Sequence, residues 1–333
     1  MQILLDDKKH FYRANLHCHS NMSDGRYSPE RLKEEYKKMG YSVLALTDHE
    51  HVIDHSHLSD EDFIVITACE VAIKEYADQS TMKNFDMKVA HLNFYALDPH
   101  NDVTPCYSSL ADHFINDNCR GLIKHEGEYK RVYSADGINE MIRIANEKGF
   151  IVSYNHPSWS LANARDYLDY DGLFAVEIYN HGCAMMGHND DESVLDDMLR
   201  AGKRVFCTAS DDCHAHKPLG SVYNDSFGGW VDINADVLSY DSIMKALQHG
   251  SFYASTGPSI ESLVRDGDKV TVKTSPCKSI CYITKGRRRK ARIAEDGECL
   301  TEATFDIRDT DGYFRLKVIN DHGKCAYTQA YEI

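Results

Sequence analysis

The chain lacks the marks of a disulfide scaffold. Its eleven cysteines are odd in number and irregularly spaced, with no CxxC pair. That usage predicts mostly free thiols in a reducing compartment. No apolar run approaches the roughly 18 residues of a membrane-crossing helix, so no membrane span is expected. The first twenty residues show no basic stretch followed by an apolar one. No secretory signal is therefore expected, and a cytoplasmic setting is the simplest prediction. Low-complexity linkers and sequence repeats are also missing. Positive charge is scarce in one part of the chain only. Residues 258–333 carry 14 Lys+Arg against 12 Asp+Glu, whereas the first 257 residues carry 23 against 40. That acidic excess disfavours long nucleic acid, whose phosphates it repels, yet leaves room for a small anion at a local cationic site. With 333 residues, 42% of them hydrophobic, a full-sized core is available.

The apolar residues alternate between strand and helix patterns. Tyr12 to His19 reads as a strand. Ser28 and Pro29 then read as an N-cap and first helical residue, with Leu32, Tyr36 and Met39 on one face and Gly40 as the stop. Further strands are predicted over 41–47, 63–69, 89–97, 150–155, 174–180 and 204–209. Helices are predicted over 135–148, 194–201 and 241–248. Alternation of apolar strands with helices predicts a parallel α/β architecture, a barrel, over residues 1–257. Beyond Thr256-Gly257-Pro258 only strands are read, over 262–272, 280–284, 303–308, 313–319 and 326–331. Residues 258–333 are thus expected to form a small, sandwich-like all-β domain.

The residues able to do chemistry gather at predicted strand ends. His17 and His19 end the first strand, Asp48 and His49 the second, and Glu70 the third. His156 follows a strand, Glu177 lies in the next, and Asp212 and His214 follow the one after. In parallel barrels these C-terminal strand ends form the active face. So many imidazoles and carboxylates would stand unsatisfied without cations. Divalent zinc, manganese or iron suits such ligands. His17-Cys18-His19 and Asp212-Cys213-His214 have a two-residue period, which on a strand puts the ligands on one face. Cys18 and Cys213 then point the other way and are expected to pack. A lone histidine is more often a core or surface residue; the set carries the inference.

Taken together, NLHCHSNMSDG, ALTDHEHV, Glu70, His91, NHP at 155–157 and SDDCH at 210–214 resemble the PHP (polymerase and histidinol phosphatase) family over about residues 12–257. The resemblance implies a distorted (β/α)7 barrel with helices outside, and a trinuclear metal site used mostly for phosphoester hydrolysis. It implies a first metal at His17, His19, Glu70 and Asp212. Glu70 would bridge to a second metal completed by His91 and His156, and Asp24, His49 and His214 would hold a third. Asp24 is the acidic variant of a position where some relatives carry histidine. The TIM-barrel amidohydrolases also open with His-x-His but lack the closing Asp-x-His found here. STGPSI, DGDKVTV and RLKVINDHGKCAYTQAYEI are similar to the β-domain trailing certain PHP proteins, including relatives of the carbaryl esterases. That branch includes ester and carbamate hydrolases.

These readings predict two to three divalent ions and attack by a metal-bound hydroxide, because coordination brings the pKa of water from ~15.7 to near 7. No serine or cysteine nucleophile motif is evident. Three divalent ions set against Asp24, Glu70, Asp212 and one hydroxide leave about +2, which favours a phosphate ester over a neutral one. The leading expectation is a phosphoesterase for a small phosphorylated metabolite or nucleotide. A carboxyl ester or carbamate hydrolase and a non-catalytic PHP binding module are the alternatives. Asp48, Asp211 and Glu177 are candidates for orienting ligand imidazoles, with loop capping an equal prospect for Asp211. His181 and His188, in the loop 179–190, are candidates for contacting substrate or protonating its leaving group, against ordinary surface roles. Lys124, His125 and Arg131 are candidate phosphate binders. The basic run 286–290 reads as a solvated hairpin tip, since no stacking aromatics interleave it.

Overall fold

The computed structural model describes residues 1–76, 86–111, 114–188 and 191–333. Seven strands follow one another in chain order across a single sheet. They are β1 (His10–Asn15), β2 (Val43–Leu46), β3 (Ile64–Lys74), β4 (Val89–Ala96), β5 (Phe150–Tyr154), β6 (Ala175–Asn180) and β7 (Phe206–Ser210). Past their ends, the chains of β1 and β7 meet in a parallel bridge between Cys18 and Cys213. His19 N–H donates to Cys213 O and Asp212 N–H to His17 O, each at 2.9 Å, and this closes the circle as a distorted barrel. Two strands without a sequence prediction, β8 (Trp230–Ala235) and β9 (Phe252–Ser255), extend the sheet antiparallel beyond β1.

The sheet is mixed, where the sequence pattern predicted an all-parallel one. β4 runs antiparallel to both β3 and β5. No crossover helix joins β3 to β4 among the described residues, and a parallel return needs one. β3 also continues to Lys74, because Val89 of β4 pairs with that residue. Glu70 therefore sits inside its strand rather than at its end. A parallel bridge between His49 and Glu70 brings it level with the end of β2.

Four helices pack their apolar faces on the strands: α1 (Pro29–Lys38), α2 (Ala135–Glu147), α3 (Glu192–Arg200) and α4 (Tyr240–Gln248). Ser28, Ser134 and Ser239 accept from first-turn amides of α1, α2 and α4. Ile138, Met141, Ile142 and Ala145 are all buried, as their helical spacing predicts. Met39 departs from expectation: it is the C-cap of α1 and is exposed. No helix among the described residues is long and apolar enough to cross a membrane.

Beyond residue 257 the described elements are strands but for one short 3-10 turn, Asp309–Asp311. Ile260–Asp266, Lys269–Cys277 and Leu300–Asp306 form a four-stranded sheet together with the N-terminal Gln2–Leu5. Ser279–Thr284, Arg289–Ile293, Tyr313–Ile319 and Cys325–Thr328 continue the barrel's own sheet, because Cys325–Thr328 pairs with β9. Leu5, Val270 and Phe305 from one layer share an apolar cluster with Ile280, Phe314 and Leu316 from the other, as in a sandwich. The predicted strand over 262–272 is two strands, because Gly267 at φ +59° turns the chain. The basic run does form a hairpin tip but is not simply solvated. Arg288 pairs with Asp311, and Arg289 Nη2 lies 3.0 Å from Asp196 of α3. The boundary at 257/258 remains our proposal, with Gln2–Leu5 lending a strand to the second unit.

Candidate metal centre

The ends of β1, β2, β5, β6 and β7 bring the histidines and carboxylates together around Glu70. Glu70 Oε1 lies 3.2 Å from His17 Nε2, 3.0 Å from His91 Nδ1 and 3.3 Å from His156 Nε2. Its other oxygen lies 3.5 Å from His19 Nε2 and 3.2 Å from His49 Nδ1. One carboxylate thus faces two sets of imidazoles. Asp212 Oδ1 stands 3.2 Å from His17 Nε2 and 3.1 Å from His19 Nε2. Asp24 approaches His19, His49 and His214 at 3.8, 3.6 and 3.5 Å. Three groups have ligand atoms close enough to share an ion: His19, Asp24, His49 and His214; His17, Glu70 and His156; His17, His19 and Asp212. His17 and His19 each belong to two groups, so the groups are contiguous. His91 falls outside all three but touches Glu70.

The donor set fits cations on two counts. Two ligands about 2.1 Å from one ion, at about 90–110°, stand roughly 3.0–3.4 Å apart, as do Glu70 Oε1 and Asp212 Oδ1 from their imidazoles, whereas the contacts of Asp24 are wider, at 3.5, 3.6 and 3.8 Å. Moreover His17 Nε2, both ring nitrogens of His19 and Asp212 Oδ1 are buried with no hydrogen-bond partner among the described residues. Native structures rarely leave buried polar atoms so unless an ion or water serves them. Side-chain exposure rises from 0% at His17 through 19% at His214 to 28% at Asp24, so the cluster opens on the Asp24 side.

Without cations, the site neutralises itself with protons. Burial alone would lower His17, but Asp212, Glu70 and Glu177 raise it well above its ordinary value. His19 and His156 are likewise raised against their burial by neighbouring carboxylates. His49 goes the other way, to about 3, through burial and the nearby His19. Glu70 and Asp212 are held well below the usual carboxylate range by surrounding imidazoles, despite burial.

The surrounding polar groups hold the ligands in place. Glu177 Oε1 lies 3.1 Å from His17 Nδ1, while Oε2 accepts from His156 N–H and Asn180 Nδ2, both at 2.9 Å. Among the described residues, Asp48 makes no hydrogen bond to an imidazole. It accepts from the amides and hydroxyls of Ser20 and Ser23, which fixes the turn leading to Asp24. Gly25 closes that turn, where any Cβ would fall 2.2 Å from His19 O. Asp211 caps a loop: it accepts from Tyr36 and from the amides of Phe227, Gly228 and Gly229. Asp225 accepts from His214 N–H and Ala215 N–H. His156 and Asp212 take φ of +28° and +53°, uncommon for non-glycine residues and the kind of strain that gathers at functional sites. Cys18 and Cys213 point into an apolar cluster with Leu32 and Tyr36, away from the ligands.

The remaining candidates stand apart. His181 contacts Tyr179 Oη at 3.0 Å and packs over Gly228, where a Cβ would strike its ring; Lys324 and Asp225 are the charges that bear on it. The stretch 179–190, read as a loop, instead ends β6 at Asn180 and opens a short helix, His181–Met185; His188 follows that helix, and residues 189 and 190 are outside the described residues. Lys124 pairs with Asp102, and His125 stacks on Tyr107. Arg131 is buried and bound to Glu50, Ala72 O and Cys106 O, so it is no phosphate anchor. Sequence reasoning missed Asn155, which donates to Glu70 Oε1 at 2.8 Å, and Asn180, which donates to Asp212 Oδ2 at 3.1 Å. Both stand at strand ends beside histidines, and that adjacency was the available signal.

A model of the PHP domain matches residues 15–191, more than half of the chain. Among solved structures, the chain is similar to a two-domain protein of Bacteroides vulgatus described as containing a predicted PHP-like metal-dependent phosphoesterase. The identity is 14%, the match covers 99% of this chain and 96% of that one, and the TM-score is 0.47. A candidate metal-dependent phosphoesterase of Bifidobacterium adolescentis matches 71% of this chain and 96% of its own at 16% identity and a TM-score of 0.39. An amidohydrolase of Chromobacterium violaceum, with bound sulfate and no metal, matches 60% and 87% at 13% identity and a TM-score of 0.37. No curated protein sequence matches the chain. With the domain model spanning the ligand-bearing segments from His17 to Glu177, the chain belongs to the PHP family.

Proposed function

We propose that the chain is a metal-dependent phosphoesterase acting on a small phosphorylated metabolite or nucleotide. The observation that carries this reading is the set of buried imidazole and carboxylate atoms, on His17, His19 and Asp212, that no protein group satisfies. Membership of the PHP family supports it. Two to three divalent ions, zinc, manganese or iron, would be held by His17, His19, Glu70 and Asp212, by Glu70, His91 and His156, and by Asp24, His49 and His214. Bound there, they supply Lewis acidity and acidify water from ~15.7 toward 7.

The chain's own residues set the geometry. Glu70 spans two imidazole sets with its two oxygens. Glu177 holds His17 by Nδ1 and leaves Nε2 directed at Glu70 and Asp212. Asp48 fixes the turn that presents Asp24, and Asp225 fixes the backbone of His214. Asp24, Glu70 and Asp212 bring three negative charges against about +6 from three divalent ions, and a surplus of that sign is best met by an anionic ester. A cytoplasmic setting, expected from cysteine usage, is part of the same proposal.

The test is a substrate panel on protein reconstituted with manganese, iron or zinc. It comprises phosphomonoesters, cyclic and bis-phosphorylated nucleotides, and carboxyl esters. Phosphate release is the expected outcome. Activity confined to carboxyl esters would reject the proposal in favour of an esterase. Full metal loading with no hydrolysis would favour a binding module.

A further inference from the structure

Two large aromatic rings stand against the imidazoles of the metal centre yet belong to none of the three apolar clusters among the described residues. The Trp159 ring centroid is 4.9 Å from that of His156 and 5.2 Å from that of His91. Phe114 stacks on His49 at 4.8 Å. His49 and His91 are 5.8 Å apart, so Trp159, His91, His49 and Phe114 stand in one row, with the two imidazoles between the two non-ligand aromatics. Both end rings are partly exposed.

Trp159 is held firmly. In its loop, Ser158 N–H donates to Asp191 Oδ2 at 3.0 Å, Ser160 N–H donates to His156 O at 3.1 Å, and Leu161 takes φ +57°. Its only ring neighbours among the described residues are the two imidazoles. A tryptophan retained for packing is expected inside an apolar cluster. Here the loop that carries the ring is fixed by backbone hydrogen bonds, and the ring stands at the site partly open to solvent.

We infer that Trp159 determines specificity, offering a stacking face to a flat ring carried by the substrate. The preferred ester is then a phosphate of an alcohol that bears an aromatic or heteroaromatic ring. The inference rests on the phosphoesterase reading for the phosphate half only. The metal centre takes the anion and the indole takes the flat apolar portion. Stacking tolerates many ring types because each has a π-face, so Trp159 selects flatness rather than one ring. A saturated ring of the same size buries area but gains no stacking.

Benzylphosphonate and cyclohexylmethylphosphonate carry six-membered carbon rings, one flat and one puckered, and calorimetry on the metal-loaded full chain compares them. The benzyl compound is expected to bind about tenfold more tightly. That preference should vanish in Trp159→Leu and survive in part in Trp159→Phe, with metal content and inorganic phosphate binding unchanged. The chain has two tryptophans, and Trp230 is buried beneath Arg13, so fluorescence quenching by the benzyl compound reports on Trp159. Benzyl phosphate and cyclohexylmethyl phosphate, both esters of primary alcohols, should show the same preference, carried by KM. Equal affinity for the two phosphonates, binding of neither, or a preference retained in Trp159→Leu overturns the inference. If the phosphonates bind as expected but neither ester is hydrolysed, the ring site stands and the phosphoesterase reading fails. If both esters turn over equally, the reverse holds.

Discussion

Replacing Glu177 with glutamine removes one oxygen and one charge while keeping the shape of the side chain. The consequences follow from four contacts. Oε1 faces His17 Nδ1 and the Ser210 hydroxyl, and Oε2 accepts from two N–H groups, those of His156 and Asn180. An amide nitrogen at the Oε2 position would leave both buried donors unsatisfied, at roughly 1–3 kcal/mol each. The glutamine therefore turns its nitrogen toward His17 and Ser210. Ser210 can rotate its hydroxyl to accept. His17 can accept at Nδ1 only by carrying its proton on Nε2, the atom directed at Glu70 and Asp212. A protonated Nε2 is no metal ligand. Either the hydrogen bond or the ligand is lost, and a cost of about 10–100-fold in affinity for one ion is expected. Competition against a metal-buffered indicator measures this directly, with thermal unfolding as a control for the fold. Affinity for every ion within twofold of wild type would refute the reasoning.

The other predictions concern single elements of the site and its support. His156→Ala should abolish turnover and lower metal content while circular dichroism stays native; full activity would mean that His156 holds no ion. Arg131→Met leaves Glu50 buried without its partner and should cost about 3–5 kcal/mol in a denaturant titration, with metal content unchanged. A cost below 1 kcal/mol would show that the pair is not structural. Metal affinity should rise with pH. His17, His19 and His156 lie above their ordinary values in the metal-free fold, so their stabilising contribution is full in acid and is lost as pH rises through those values. Cations must displace these protons, so calorimetry in buffers of different ionisation enthalpy should show proton release at pH 7. Proton uptake would contradict the assignment.

Much of the centre is legible in the sequence because its ligands follow strand periodicity. His17 and His19 alternate with Cys18, and Asp212 and His214 with Cys213, and the bridge between those cysteines carries both pairs to one place. What could not be read is the direction of β4. An apolar run such as Val89–Ala96 looks the same in parallel and antiparallel pairing, and only the pairing shows that the strand bearing Glu70 continues to Lys74. The division of labour among carboxylates is equally silent. Asp48 and Glu177 both lie near ligands in sequence, but only the fold shows that one holds a turn and the other an imidazole. Arg131 is a candidate phosphate binder by sequence alone, because nothing in the sequence shows its buried pairing with Glu50. Trp159 carries no periodic signal, because it lies outside the apolar clusters among the described residues.

The most direct test of the metal centre is elemental analysis of the purified full-length chain after reconstitution with manganese, iron and zinc in turn. The account predicts two to three ions per chain with at least one of these metals. Fewer than one ion per chain with all three would contradict it.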